Sequence, residues 1–169
     1  MERFLGNVCT HEWNRWQDAG RSFAEGARLL KLRHPDKAEL IDAYGARFDE
    51  MMAGPIVGTV EILAELRGRG VPLYGLSNFS AETFPPAFAR FEFLRWFRGM
   101  VISGEVGFSK PDSRIYEIML ARSAIDPHRA VYIDDVATNA KAAQPFGIHG
   151  IHFTTPSALR EELVRLALL

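Results

Sequence analysis

"AVYIDDVATNAKAA" (residues 130–143) decides the fold. Its first four residues are a short apolar run that stops at two adjacent carboxylates, Asp134 and Asp135. A run that short, bounded by charges, reads as a buried strand, and residues 136–146 read as the helix that follows. Adjacent like charges at the mouth of a buried strand repel each other and are costly to desolvate. Something must make that arrangement worth keeping.

Working outward, the same alternation recurs. "VPLYGL" (71–76) and "GMVIS" (99–103) read as strands upstream, and "HGIHF" (149–153) as one downstream. Helices are expected around Val60–Leu66, from about Ser80 (with Ser80 and Thr83 as caps), over Asp112–Arg122, and from Pro156 to Leu169. Short apolar runs alternating with helices predict a parallel α/β sheet with helices on both faces. Before "MMAGPIVGT" (51–59), whose Gly54, Pro55 and Gly58 suggest a hinge, the pattern is helical. Phe23, Ala27 and Leu30 recur at helical spacing, as do Leu40, Ile41, Tyr44, Phe48, Met51 and Met52. The expected division is a small helical region over 1–53 and an α/β core over 54–169.

Composition narrows the function. The 169 residues are 47% hydrophobic and 24% charged, with 20 basic and 21 acidic side chains. A net charge of −1 carries no nucleic-acid footprint and no polybasic membrane patch. The single cysteine, Cys9, allows no intrachain disulfide, and no apolar run suits a signal peptide or a membrane span. The expectation is a cytoplasmic protein acting on a small molecule; the oligomeric state is not legible.

In parallel α/β sheets ligands sit at the carboxyl ends of the strands. Ser77-Asn78 follows the first strand, Lys110-Pro111-Asp112 the second and Asp134-Asp135 the third. A hydroxyl, an ammonium and an acidic pair on one sheet edge suit a phosphoryl group with Mg2+. Carboxylates supply hard oxygen ligands, and the cation relieves their repulsion. Lysine and hydroxyl suit the non-bridging phosphate oxygens. Asn139, four residues past Asp135, can orient a carboxylate or a metal-bound water. Trp13, Gln17 and Arg21 fall at i, i+4 and i+8, where Arg21 either meets an anionic substrate or pairs with Glu25 on a solvated face.

"YGLSNFSAETF", "SGEVGFSKPDSRIYEIML" and "VYIDDVATNAKAAQPFGIHGIHF" resemble the haloacid dehalogenase-like hydrolases, in the branch with a helical cap. The resemblance implies a Rossmann-like core and a partial cap formed by residues 1–53. It implies that Ser77 hydrogen-bonds the transferring group with Asn78 beside it, that Lys110 neutralises the nucleophile and phosphate, and that Asp134 and Asp135 hold Mg2+. The dehalogenases of this branch use no metal, so the acidic pair favours a phosphatase of a small phosphorylated metabolite over a 2-haloacid dehalogenase.

The family's reaction also needs a nucleophilic aspartate in an Asp-x-Asp motif after its first strand. No Asp-x-Asp occurs in this sequence, and Asp18, Asp36, Asp42 and Asp49 all lie in helical or loop patterns. The family's first strand lies between those corresponding to "VPLYGL" and "AVYI". Its absence is expected to expose two rows of unpaired backbone groups and a strip of core, in a chain that is a fragment or starts late, in a non-catalytic binding or assembly relative, or in a complete enzyme with rewired chemistry.

Overall fold

The computed structural model describes residues 2–169. Among these residues the elements run α1 (Glu2–Asn7), α2 (His11–Asp18), α3 (Phe23–Arg33), α4 (Ala38–Ala46), α5 (Val57–Gly68), β1 (Tyr74–Ser77) and α6 (Phe84–Arg90). They continue with β2 (Gly99–Ile102), α7 (Ser103–Val106), α8 (Ser113–Ser123), β3 (Val131–Asp134), α9 (Ala137–Ala142), β4 (His149–His152) and α10 (Pro156–Arg165). β3 and β4 are parallel, with Val131 opposite His149 and Asp134 opposite His152. Parallel neighbours need a crossover, and α9 supplies it. The four strands fall into two two-stranded sheets, β1 with β2 and β3 with β4. Strands alternating with helices in these small sheets are the α/β class that the sequence predicts.

The chain forms two compact units. One comprises residues 1–53, 76–91 and 102–109; the other comprises 54–75, 92–101 and 110–169. In the first, Val8, Cys9, Leu30 and Ile41 form a core with Phe4, Trp13, Ala27 and Tyr44 against it. α2 starts at Thr10, whose side chain accepts from the Trp13 N–H, and α3 at Ser22, which accepts from Glu25. Each hydroxyl satisfies a helix-end donor that has no intrahelical partner. The Phe23 N–H of α3 is also taken by the Glu82 carboxylate, at 3.2 and 3.3 Å.

In the second unit, Ile62 and Leu66 of α5 and Leu159 and Leu163 of α10 bury against Leu73 and Ile151, with Val131 and Ile133 of β3 packed on them. Trp96 and Phe97, both partly buried, pack against this core. Gly150 has a steric reason. A Cβ there would stand 2.1 Å from the Ala140 carbonyl oxygen, so only glycine lets α9 lie this close to β4.

Several expectations shift, among them the closing helix, which ends at Arg165 rather than Leu169. The first strand starts at Tyr74 rather than Val71, because Pro72 has no N–H to give a ladder. The helix expected from Ser80 starts at Phe84. Ser80 accepts from the Glu82 N–H within a turn, and the Thr83 hydroxyl at the cap position is buried without a partner. The second N-terminal segment leaves helix at Ala46 and passes through a 3-10 turn at Phe48–Met51. The helix over 136–146 likewise ends at Ala142, with a 3-10 turn at Gln144–Phe146.

Candidate active site

β3 delivers Asp134 to its carboxyl end, where the carboxylate is almost wholly buried, its side chain 3% exposed. Burial alone would drive that carboxyl to its neutral form. Four donors oppose this. Lys110 Nζ lies 2.7 Å from Oδ2, and the Tyr132 hydroxyl donates to the same oxygen at 2.5 Å. Oδ1 accepts from the Val136 N–H at 2.9 Å and from Asn139 Nδ2 at 3.0 Å. Two carboxylate oxygens with two donors each use the full capacity of the group. Burial raises the Asp134 pKa, but the hydrogen bonds from Lys110 and Tyr132 and the lysine charge outweigh it, so the carboxyl sits below its usual range.

The supports of this cluster are local. Asn139 rides on α9 and is itself buried. Its carbonyl accepts from the Tyr116 hydroxyl on α8, at 2.8 Å. Tyr116 meets Tyr132 edge to face, ring centroids 5.6 Å apart, and Phe146 stacks on Tyr116 at 5.9 Å. Burial, and then Asp134, push the Tyr132 phenol far above its ordinary range, so it stays a neutral donor. Burial also raises Tyr116, to about 12. Lys110 Nζ stands 5.7 Å from the centre of the Tyr132 ring, within cation–π reach.

Lys110, Asp134 and Asn139 are therefore brought together. Asp135 is different: its residue is exposed, and its carbonyl is engaged by His152 Nε2 at 3.1 Å. Among the described residues no group of three or more His, Cys, Asp or Glu side chains could hold a metal. Mg2+ does not need such a cage; one or two carboxylates, waters and a phosphate suffice. Asp135 fits as a direct oxygen ligand, while Asp134 has both oxygens committed and fits as the group that holds the lysine.

Ser77 and Asn78 belong to the first unit, Ser77 closing β1. The loop after them is pinned by Ser103, fully buried, whose Oγ accepts from the Phe79 N–H at 2.9 Å and donates to the Asp18 carbonyl. A Cβ on Gly104 would stand 2.4 Å from the Ala81 nitrogen, so this loop needs glycine beside it.

Arg21 is not on a continuous helical face with Trp13 and Gln17, because α2 ends at Asp18. It reaches back instead. Nε donates to Gln17 Oε1 at 2.7 Å and Nη2 to the Trp13 carbonyl at 3.2 Å, with the guanidinium over the Trp13 and Trp16 rings. Gln17 is fully buried, so this is no solvated face, and Glu25 is hydrogen-bonded to Arg28. Burial lowers the Arg21 pKa, while Glu25 acts the other way.

Sequence reasoning missed Tyr132 and Tyr116. Tyr132 is two residues before Asp134 on one strand, hence on the same face, and that spacing could have found it. Tyr116 comes from a helix far along the chain, and no local signal marks it.

A family described as haloacid dehalogenase-like hydrolase matches residues 18–153. A sesquiterpene phosphatase of Aspergillus oryzae is 32% identical over 114 residues, covering 66% of this chain and 57% of that protein. (S)-2-haloacid dehalogenase 2 of a Pseudomonas species is 27% identical over 125 residues, covering 74% of this chain and 52% of that protein. The chain thus spans about half the length of these curated relatives. Among solved structures, a HAD family enzyme from Bacteroides thetaiotaomicron superposes with a TM-score of 0.71 at 21% identity, covering 91% of this chain and 78% of that one. The same enzyme crystallised with magnesium and inorganic phosphate gives 0.67 at 22% identity, covering 82% and 72%. At such identities the likeness carries the fold alone. The family match, reaching from Asp18 to Phe153 and so over most of the chain, makes this protein a member of the haloacid dehalogenase-like hydrolases.

Proposed function

We propose that this chain carries the lysine and acidic-pair machinery of a Mg2+-dependent phosphatase acting on a small phosphorylated metabolite. The observation that carries the reading is the Lys110–Asp134 ion pair, its carboxylate buried with two donors on each oxygen, one residue before an exposed Asp135. Lys110 neutralises charge on the transferring group, and Asp134 with Asn139 keeps its ammonium aimed. Asp135 is the direct ligand for Mg2+, which when bound supplies charge stabilisation to the phosphate oxygens. By family resemblance Ser77 hydrogen-bonds the transferring group with Asn78 beside it, Arg21 is a candidate for substrate anion binding, and residues 1–53 act as a cap. The relatives include a phosphatase and a dehalogenase, and the acidic pair favours the phosphatase.

This reading assigns the nucleophile to no residue of the chain, because no Asp-x-Asp is present. The 169-residue chain is therefore expected to hydrolyse nitrophenyl phosphate with Mg2+ no faster than buffer. Binding is the direct test. Calorimetry with Mg2+ and inorganic phosphate should show an interaction weakened about tenfold or more in Asp135→Asn. Wild-type protein that binds neither ligand would end the phosphatase reading, as would halide release from a 2-haloacid without metal.

A further inference from the structure

Asp134, Tyr132, Tyr116 and Asn139 close a ring. The Tyr132 hydroxyl is on Asp134 Oδ2, the Tyr132 ring is edge-on to Tyr116, the Tyr116 hydroxyl is on the Asn139 carbonyl, and the Asn139 amide returns to Asp134 Oδ1. Lys110 enters this ring at one atom, Asp134 Oδ2, the oxygen that Tyr132 also holds. The lysine stem is flexible, and an ammonium is a point charge without a preferred fork geometry. The oxygen it is bonded to is one of the things that set its direction. The carboxylate of Asp134 could swing about its Cβ–Cγ bond, since such terminal torsions are broad. Val136 and Asn139 restrain Oδ1 from one side, and the phenol restrains Oδ2 from the other.

We propose that Tyr132 is a positioning residue for Lys110, acting through Asp134. Its hydroxyl fixes the carboxylate oxygen to which the ammonium is tied, and its ring face flanks the same ammonium at 5.7 Å. By occupying the last acceptor site on Oδ2, it also keeps Asp134 as the lysine's counter-ion and leaves cation binding to Asp135. The meaning of this for catalysis rests on the proposed function above; the positioning itself needs neither metal nor substrate, and the test uses neither.

The chain has four lysines, Lys31, Lys37, Lys110 and Lys141, so each can be followed separately. Metal-free protein is labelled with an acetylating succinimidyl ester, and the rate at each lysine is read by mass spectrometry. Lys110, its side chain 10% exposed in the wild type, is expected to react at least about fivefold faster in Tyr132→Phe, while Lys37 and Lys141 keep their rates. Phe146→Leu loosens the packing on Tyr116 but removes no polar atom of the ring, and should leave Lys110 unchanged. A Lys110 rate in Tyr132→Phe within about twofold of wild type overturns the proposal. So does an equal rise in Phe146→Leu, which would mean that packing alone governs the lysine. Should Tyr132→Phe not fold, the wild type still decides. A phenol held by a carboxylate gives a separate, slowly exchanging downfield hydroxyl proton in a spectrum taken near freezing, and its absence overturns the proposal. Failure of Mg2+ or phosphate binding would sink the phosphatase reading and leave these rates untouched.

Discussion

Asp134, buried, and Asp18, half-buried, are the same residue type, and burial raises both carboxyls, yet they end on opposite sides of the usual range. Asp134 has a cation, a phenol, an amide and a backbone N–H on its two oxygens, and its carboxyl falls below the usual range. Asp18 has the Asn14 amide at 3.2 and 3.3 Å, a backbone hydrogen bond from Ser80, and the charges of His11 and Arg15, with no ion pair among the described residues. There burial prevails and the carboxyl rises. A desolvated carboxylate is thus not a fixed liability. What surrounds it decides whether the charged form is a stable fixture or a poorly supported one.

Breaking the better-supported carboxylate should cost the most. Lys110→Met leaves Asp134 buried without its cation, and removing one partner of a buried pair costs about 3–5 kcal/mol. Urea denaturation should register that loss at neutral pH. A cost below about 1 kcal/mol would put this pair with ordinary surface salt bridges. Asn139→Leu removes one donor from Oδ1, and stability should fall by about 1–3 kcal/mol in the same assay, because an acceptor is left short of its bond.

The pH dependence sharpens the contrast without any substitution. Asp134 has a folded pKa below its unfolded value, so its contribution is present above the unfolded pKa and is lost as pH falls through the folded one. Asp18 has a folded pKa above its unfolded value, so the folded state binds the extra proton and gains stability as pH falls between the two. Side-chain carbon NMR titration should find Asp18 ionising at higher pH than Asp134, and the reverse order would dissolve the comparison. The smallest effect is expected from Asp18→Asn. It removes a poorly supported charge and should leave stability at pH 7 unchanged or raise it by up to about 1 kcal/mol, whereas Asp134→Asn lowers it. Thermal unfolding of the two variants side by side reads the sign.

Much of this was legible from local pattern. "AVYI" reads as a strand because four apolar residues end at charges; chemistry at strand ends singles out Lys110 and Asp134, and helical spacing past Asp135 singles out Asn139. Period-two alternation also held the Tyr132 clue. Other features depend on tertiary partners. Arg21 turns back after α2 has ended because Gln17 and the Trp13 carbonyl offer it bonds, and helical spacing cannot foresee a side chain reaching past a helix terminus. The breaks at Ala46 and Ala142 lie inside sequences whose apolar periodicity continues, so a periodic pattern overran them. Tyr116 reaches Asn139 across 23 residues, a distance at which sequence carries no geometry.

Gly150 gives the site an unexpected gauge. The missing methyl on β4 sets how near α9 can stand, and Ala140, the residue it accommodates, is next to Asn139. A side chain at 150 would act as a shim under the helix, lifting the amide away from the carboxylate it steadies. The aim of a lysine forty positions earlier in the chain is thereby tied to a hydrogen atom on the far side of a helix.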